Sequence, residues 1–156
     1  RTESGGALVR WSRSGSAPCA LRSAMGLTRE EARSFAARWF AAFNSHDIDA
    51  ILACYDPAIE HSSPFIKRYN DAVGRGDEPS IRGLGDLRGY FQRALDRNPT
   101  LRFDPEHLAT GIESVILTYR RHSHDTPPGG ELSAEVFFLA GHETGHRIVR
   151  SVSHYG

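Results

Sequence analysis

Residues 142–146 read His142-Glu143-Thr144-Gly145-His146, an H-E-x-x-H string in a chain of 156 residues. On a helix its two histidines would lie one turn apart and grip a zinc ion, with Glu143 as general base. The flanking residues oppose a helix. "EVFFL" before the string and "RIVRSV" after it are rich in β-branched and aromatic side chains, and Gly141 and Gly145 flank and interrupt it. Each glycine costs a helix interior about 1 kcal/mol relative to alanine. In the longer, three-histidine form of the motif, Val149 and Val152 stand where a glycine and the third histidine belong. The string is therefore read as a turn between two strands, with no metal site.

The remaining histidines divide by context. His122 and His124 are two apart on an expected strand end, so they share a face, and a solvated strand end is their reading. His46 falls in a turn between helices and is read as structural. His154 is read as a surface or interface residue. His61 differs, because it sits centrally in the short strand-like run "AIEHSS". A polar group buried there needs a hydrogen-bond partner or a ligand. Glu135 is the carboxylate in a comparable position, inside "SAEVFFLAG". Facing a core, it would be pushed by desolvation toward its protonated form.

The elements that must position these residues follow from periodicity. Thr28 and Glu31 form a capping box, and Ala32, Phe35, Ala36, Trp39 and Phe43 then repeat at helical spacing over about 29–44. Asp47 caps a short second helix, from Ile48 to about Tyr55, which Pro57 stops. A short strand follows, with Ile59, His61 and Ser63 on one face. Residues 64–82 read as a long polar connection, a lid, a pocket wall or a disordered segment. "GLGDLRGYFQRALDRNP" gives a third helix that buries Leu87, Phe91, Ala94 and Leu95. After Thr100 the period changes to two. Strands are expected over Leu101–Thr110, Ser114–His124, Glu131–Ala140 and Arg147–Tyr155, joined by "GIE", "DTPPGG" and "GHETG". Short joints imply antiparallel pairing, and Pro105 implies an edge or a bulge. The class is α+β, with three helices packed on one side of a curved antiparallel sheet.

Composition narrows the function classes. The 19 Lys and Arg balance 19 Asp and Glu, so no net field steers the chain to nucleic acid or an anionic membrane. No apolar run reaches the length of a membrane span. Cys19 and Cys54 are too few for a disulfide framework or a cysteine zinc site, and the expected compartment is the cytoplasm. Residues 1–24 carry four Arg and one Glu among Ser, Gly and Ala, without helical or strand period. They are expected to be a leader outside the folded unit 25–156.

The order of elements, with "WFAAFNSHDIDAILACYDPAIEHSSP" early and "GHRIVRSVSHYG" at the end, resembles the nuclear transport factor two superfamily, in its SnoaL-like and ketosteroid-isomerase-like branch, over about residues 28–156. The resemblance implies a cone, its sheet wrapped round three helices, with a mostly apolar interior pocket and pairing of two copies through the sheet. It also permits a residue-by-residue test. The isomerase branch places a carboxylate base just before a proline on the first strand, where this chain has Ser63 before Pro64. It places a phenol on the first helix, where this chain has Trp39. It places a protonated carboxylic acid near the last hairpin, where Glu135 fits. A serine hydroxyl is too weakly basic to replace the carboxylate unaided. His61, on the same strand face, can take that role, as a histidine does in SnoaL-type cyclases.

The expectation is a cofactor-independent small-molecule pocket protein, an isomerase- or cyclase-type enzyme acting by proton transfer on an apolar substrate. His61 is the base or polarising group and Glu135 the hydrogen-bonding acid. Trp39, Ser63, Phe91, Phe103, Phe137, Ser151, Ser153 and Tyr155 line the pocket by the same resemblance. The alternative is a non-catalytic ligand-binding or dimerisation module. A homodimer is the expected assembly, with neither nucleic acid nor membrane as partner.

Overall fold

The computed structural model describes residues 26–156, and the segment 1–24 lies outside the described residues. The first helix, α1, spans Arg29–Asn44 and carries the expected capping box. Glu31 N–H donates to Thr28 Oγ1 at 3.2 Å, and Thr28 N–H donates to Glu31 Oε2 at 2.9 Å. Its periodic stripe, from Ala32 to Phe43, is buried. At its far end Asn44 clips the helix to residue 103, donating to Phe103 O at 2.9 Å and accepting from Phe103 N at 2.8 Å. His46 turns the chain in the left-handed region (φ 57°) and bonds Leu101 O at 2.7 Å through Nε2. Its role is structural.

Helix α2 (Ile48–Leu52) is capped by Asp47 and ends earlier than the sequence suggested. The chain is already extended at Tyr55, where β1 (Tyr55–Ser62) begins. Pro57 falls inside this strand rather than closing a helix. The pairing of β1 with its neighbour shifts register between Tyr55 and Glu60, and a proline lacking an N–H is tolerated at such an irregularity. Asp56 Oδ1 supports the bend by accepting from Ala58 N at 2.8 Å.

The connection 64–82 is not structureless. It contains α3 (Ile66–Ala72) and β2 (Ser80–Arg82). The helix buries Ile66 and Asn70, and Asn70 Nδ2 donates to Glu78 O at 2.7 Å to fold the following turn back. Then come α4 (Leu84–Arg97), β3 (Arg102–Thr110), β4 (Ser114–His122), β5 (Glu131–His142) and β6 (Gly145–Tyr155). Pro105 meets both expectations: β3 is an edge strand, and its ladder shifts register between Pro105 and His107.

The sheet order is β2-β1-β6-β5-β4-β3. The α+β class and the curved sheet stand, with two differences in detail. Among the described residues there are four helices rather than three, because α3 lies in the segment expected to be a connection. The sheet is also not wholly antiparallel, since β1 runs parallel to β6. Sequential strands joined by tight turns must reverse direction; no turn joins β1 to β6, so none fixes their relative direction. One face of the sheet is concave and covered by α1 and α4. On the convex face, Ile116, Val136 and Val152 pair straight across three strands, with exposed Phe138 close by.

The H-E-x-x-H string is a two-residue hairpin. His142 pairs with Gly145 and Gly141 with His146, leaving Glu143 and Thr144 at the tip. Neighbours on a strand face opposite ways, so His142 and His146 project from opposite faces of the hairpin and cannot share a metal. Gly145 has φ 120°, a conformation that a Cβ makes costly. Gly145→Ala is therefore expected to lower stability by about 1–2 kcal/mol in thermal melts. His142→Ala, exposed at the turn, should change it by less than about 0.5 kcal/mol. Metal analysis after chelation checks the same point: stoichiometric zinc that disappears with His142→Ala would overturn the hairpin assignment.

Candidate functional site

A cavity of about 340 Å³ lies between the concave sheet face and helices α1, α3 and α4. Its floor is Trp39, whose indole packs on Phe43 (centroids 4.6 Å apart), Phe137 (5.2 Å) and Phe103 (5.6 Å, stacked). The indole N–H is satisfied by the Tyr55 hydroxyl at 3.1 Å. The floor is therefore aromatic with its one N–H satisfied, and the two titratable groups at the centre of the site come from the strands.

Strand β1 brings His61, 2 % exposed. Its Nδ1 hydrogen-bonds Ser151 Oγ at 2.7 Å, and Ser151 is the cross-strand partner of His61 on β6. Its Nε2 is buried and has no hydrogen-bond partner in the protein. Tyr90 and Phe91 of α4 pack against the ring. Desolvation lowers the imidazole pKa from 6.5 to about 4, so the ring is neutral at neutral pH. If Nδ1–H donates to Ser151, Nε2 carries a lone pair; if Ser151 donates, Nε2–H is a donor.

Strand β5 brings Glu135, 5 % exposed. Ser153 Oγ donates to Oε2 at 2.9 Å and the Tyr119 hydroxyl to Oε1 at 3.2 Å. These bonds favour the carboxylate, but burial outweighs them and lifts its pKa from 4.5 to about 7. Glu135 is two strands away from His61 and one two-residue step along. Strand spacing and rise then put their Cα atoms roughly 12 Å apart, with both side chains lining one cavity.

Four tyrosines complete the polar wall. Burial raises the pKa of Tyr55, Tyr90, Tyr119 and Tyr155, Tyr90 to about 12, so all four are neutral hydroxyl donors. Tyr90 donates to Ser63 Oγ at 2.8 Å, and the Tyr155 hydroxyl lies against the side chains of Ser63 and Ser153. A file of hydroxyls thus runs from α4 across to Glu135.

Of the residues expected at the site, His61, Glu135, Trp39, Phe91, Phe103, Ser153 and Tyr155 line the cavity. Ser63, Phe137 and Ser151 do not. Ser63 lies past the end of β1 and supports the Tyr90 and Tyr155 hydroxyls from behind. Ser151 is covered by His61, which it bonds. Phe137 points to the concave side but is capped by Phe35 and Trp39, with centroids at 5.5 and 5.2 Å. Sequence reasoning missed Tyr55, Tyr90 and Tyr119. The alternation Val115, Leu117, Tyr119 would have found the last. His122 and His124 do not share a strand face, because β4 ends at His122. His122 lies 3.0 Å from an Asp104 oxygen, while His124 sits in the turn at the cavity rim.

Among the described residues, no group of three or more His, Cys, Asp or Glu is arranged to hold a metal ion. Nor is any helix among them long and apolar enough to cross a membrane.

With this geometry in hand, known proteins give a consistent picture. A SnoaL-like protein of unknown function from Burkholderia thailandensis is 31 % identical. The match covers 83 % of this chain and 98 % of that one, with a TM-score of 0.67. Two more distant structures share the fold. One, from Sinorhizobium meliloti, is named as a candidate polyketide cyclase: 12 % identity, 78 % and 94 % coverage, TM-score 0.58. The other, from Kribbella flavida, is named as a candidate ketosteroid isomerase: 16 % identity, 81 % and 78 % coverage, TM-score 0.55. No curated protein matches the sequence. The family model of the SnoaL-like domain matches residues 36–151, and the chain belongs to the SnoaL-like domain family.

Proposed function

We propose that the protein binds an apolar small molecule in this cavity and moves a proton on it, as an isomerase- or cyclase-type enzyme without a cofactor. The observation that carries this reading is the unpartnered, buried Nε2 of His61 in a cavity that the protonated Glu135 also lines. His61 Nε2 removes a proton beside a carbonyl. The developing enolate oxygen is held by the Glu135 carboxylic acid, which Tyr119 positions through its bond to Oε1. A carboxylic acid kept neutral by burial can donate to such an oxygen, as the ketosteroid isomerase pattern illustrates. The roughly 12 Å between backbone positions leaves room for a ring between the two groups.

One observation favours a second reading, a ligand carrier. The burial that keeps His61 neutral also makes it a weak base, with a pKa of about 4. Proton exchange separates the two. Incubated with 2-tetralone in D2O, the enzyme should accelerate exchange of the α-hydrogens, followed by NMR. His61→Gln should cut that acceleration about 100-fold or more, and Glu135→Gln about tenfold. The rate should be highest between pH about 4, where His61 loses its proton, and about 7, where Glu135 loses its own. Binding without acceleration would leave only the carrier.

The two groups also oppose each other in stability. Glu135 has a raised pKa, so its contribution is full below 4.5 and is lost as pH rises to about 7. His61 has a lowered pKa, so its contribution is full above 6.5 and is lost as pH falls to about 4. Relative to wild type, Glu135→Gln should therefore gain stability with rising pH between 4.5 and 7. His61→Asn should lose it with rising pH between 4 and 6.5. Each difference has a slope on the order of 1 kcal/mol per pH unit, measurable by urea unfolding.

We also infer a homodimer formed through the convex face, where the Ile116–Val136–Val152 row and Phe138 present apolar surface. Val136→Glu should convert it to a monomer by analytical ultracentrifugation. An unchanged mass would remove this face from consideration. The buried free thiol of Cys54 suits a reducing compartment, the cytoplasm.

A further inference from the structure

The cavity changes character toward its mouth. Four arginines line it: Arg68 on α3, Arg93 and Arg97 on α4, and Arg121 on β4. Their partners differ. Arg121 is neutralised, bonding Glu131 Oε2 at 2.6 Å and lying 3.5 Å from Asp125. Asp125, the rim carboxylate, is further occupied by Ser123. Elsewhere on the same two helices, long cations find acids: Lys67 meets Asp71 and Asp77, and Arg88 meets Asp49. Among the described residues, Arg93 and Arg97 have neither a hydrogen bond nor an ion pair. Among the same residues, Arg68 meets only the Phe65 ring, at 5.8 Å.

That arrangement works against the free protein. Arg93 and Arg97 stand at i and i+4, where like charges repel by a few tenths of a kcal/mol. The C-terminal end of α4 offsets this for Arg97. It does less for Arg93, a full turn further in. Arg68 adds a third cation from the facing helix. Three guanidinium groups with no acid of their own therefore rim a cavity whose floor is aromatic. Guanidinium binds oxyanions through paired N–H donors and loses less than ammonium on leaving water.

We propose that the ligand is an amphipathic acid, an apolar ring system that reaches Trp39 and carries a carboxylate that Arg68, Arg93 and Arg97 bind at the mouth. This rests on the cavity being the ligand site proposed above, and not on its catalysis. The anion also sets the ligand's direction. It leads with its apolar end, which comes to rest on the Trp39 floor.

A matched pair of probes tests this on the full chain by calorimetric titration: naphthalene-2-acetate and the isosteric, neutral naphthalene-2-acetamide. The acid should bind roughly tenfold or more tightly than the amide. That advantage should shrink as salt is raised and vanish in Arg93→Gln/Arg97→Gln, while amide binding stays unchanged. Arg68→Gln should remove part of it. All three arginines are exposed, and unchanged melting temperatures would exclude misfolding of the variants. Equal binding of acid and amide overturns the anion site and leaves the cavity reading standing. An acid preference that survives Arg93→Gln/Arg97→Gln overturns the assignment to these arginines. Binding of neither probe rejects the cavity as a ligand site, and the proposal with it.

Discussion

The structure depends on the burial of Trp39. Its ring meets Phe103 of β3, Tyr119 of β4 and Phe137 of β5, and its N–H reaches Tyr55 at the start of β1. One side chain of α1 thus touches four of the six strands. Burying an aromatic of this size contributes on the order of 3–5 kcal/mol, a large share of a typical domain's net stability. The contact also fixes the depth of the cone, because α1 cannot sink further onto the sheet than the indole allows. The cavity above Trp39 follows from that limit.

Placing polar groups on such a floor has opposite effects on acids and bases. Burial disfavours charge in either case, so His61 sheds its proton and Glu135 keeps one. Between their two pKa values the interior carries no net charge, although it contains an imidazole, a carboxyl and four phenols. Strand β6 holds both groups, His61 through Ser151 and Glu135 through Ser153, while Tyr119 of β4 bonds the other Glu135 oxygen and His61 Nε2 stays without a protein partner. The remaining polarity is turned toward whatever fills the cavity. The arginines at the mouth are the counterpart, three of them exposed cations above an uncharged interior.

How much of this the sequence disclosed depends on how local each signal was. The capping box at Thr28 and Glu31, the α1 stripe and the three hairpins are written in neighbouring residues, and all were legible. The run around Glu135 is apolar on both strand faces, so its direction stayed open in the residues themselves, and the family resemblance supplied the inward reading. Helix α3 was hidden, because seven residues with Phe65 at the N-cap and no capping side chain leave no period to read. Strand β1 began early because proline was read as a terminator, whereas the shift in pairing with β6 accommodates it. Ser63 and Phe137 were assigned the right region but the wrong depth: whether a side chain lines a cavity or lies behind its wall depends on packing from other elements. The pairing of β1 with β6, which joins distant parts of the chain, had no local trace.

That pairing has a consequence for how the sheet is joined. Strand β6 is the central plank of the sheet between β1 and β5, and it supplies the hydroxyl that steadies each polar group of the interior. It is also the last of the described strands in chain order. Without residues 145–155, β1 has only the three-residue β2 beside it, and His61 and Glu135 belong to two unconnected parts of the sheet. The two parts of the sheet are joined only where β6 lies between β1 and β5.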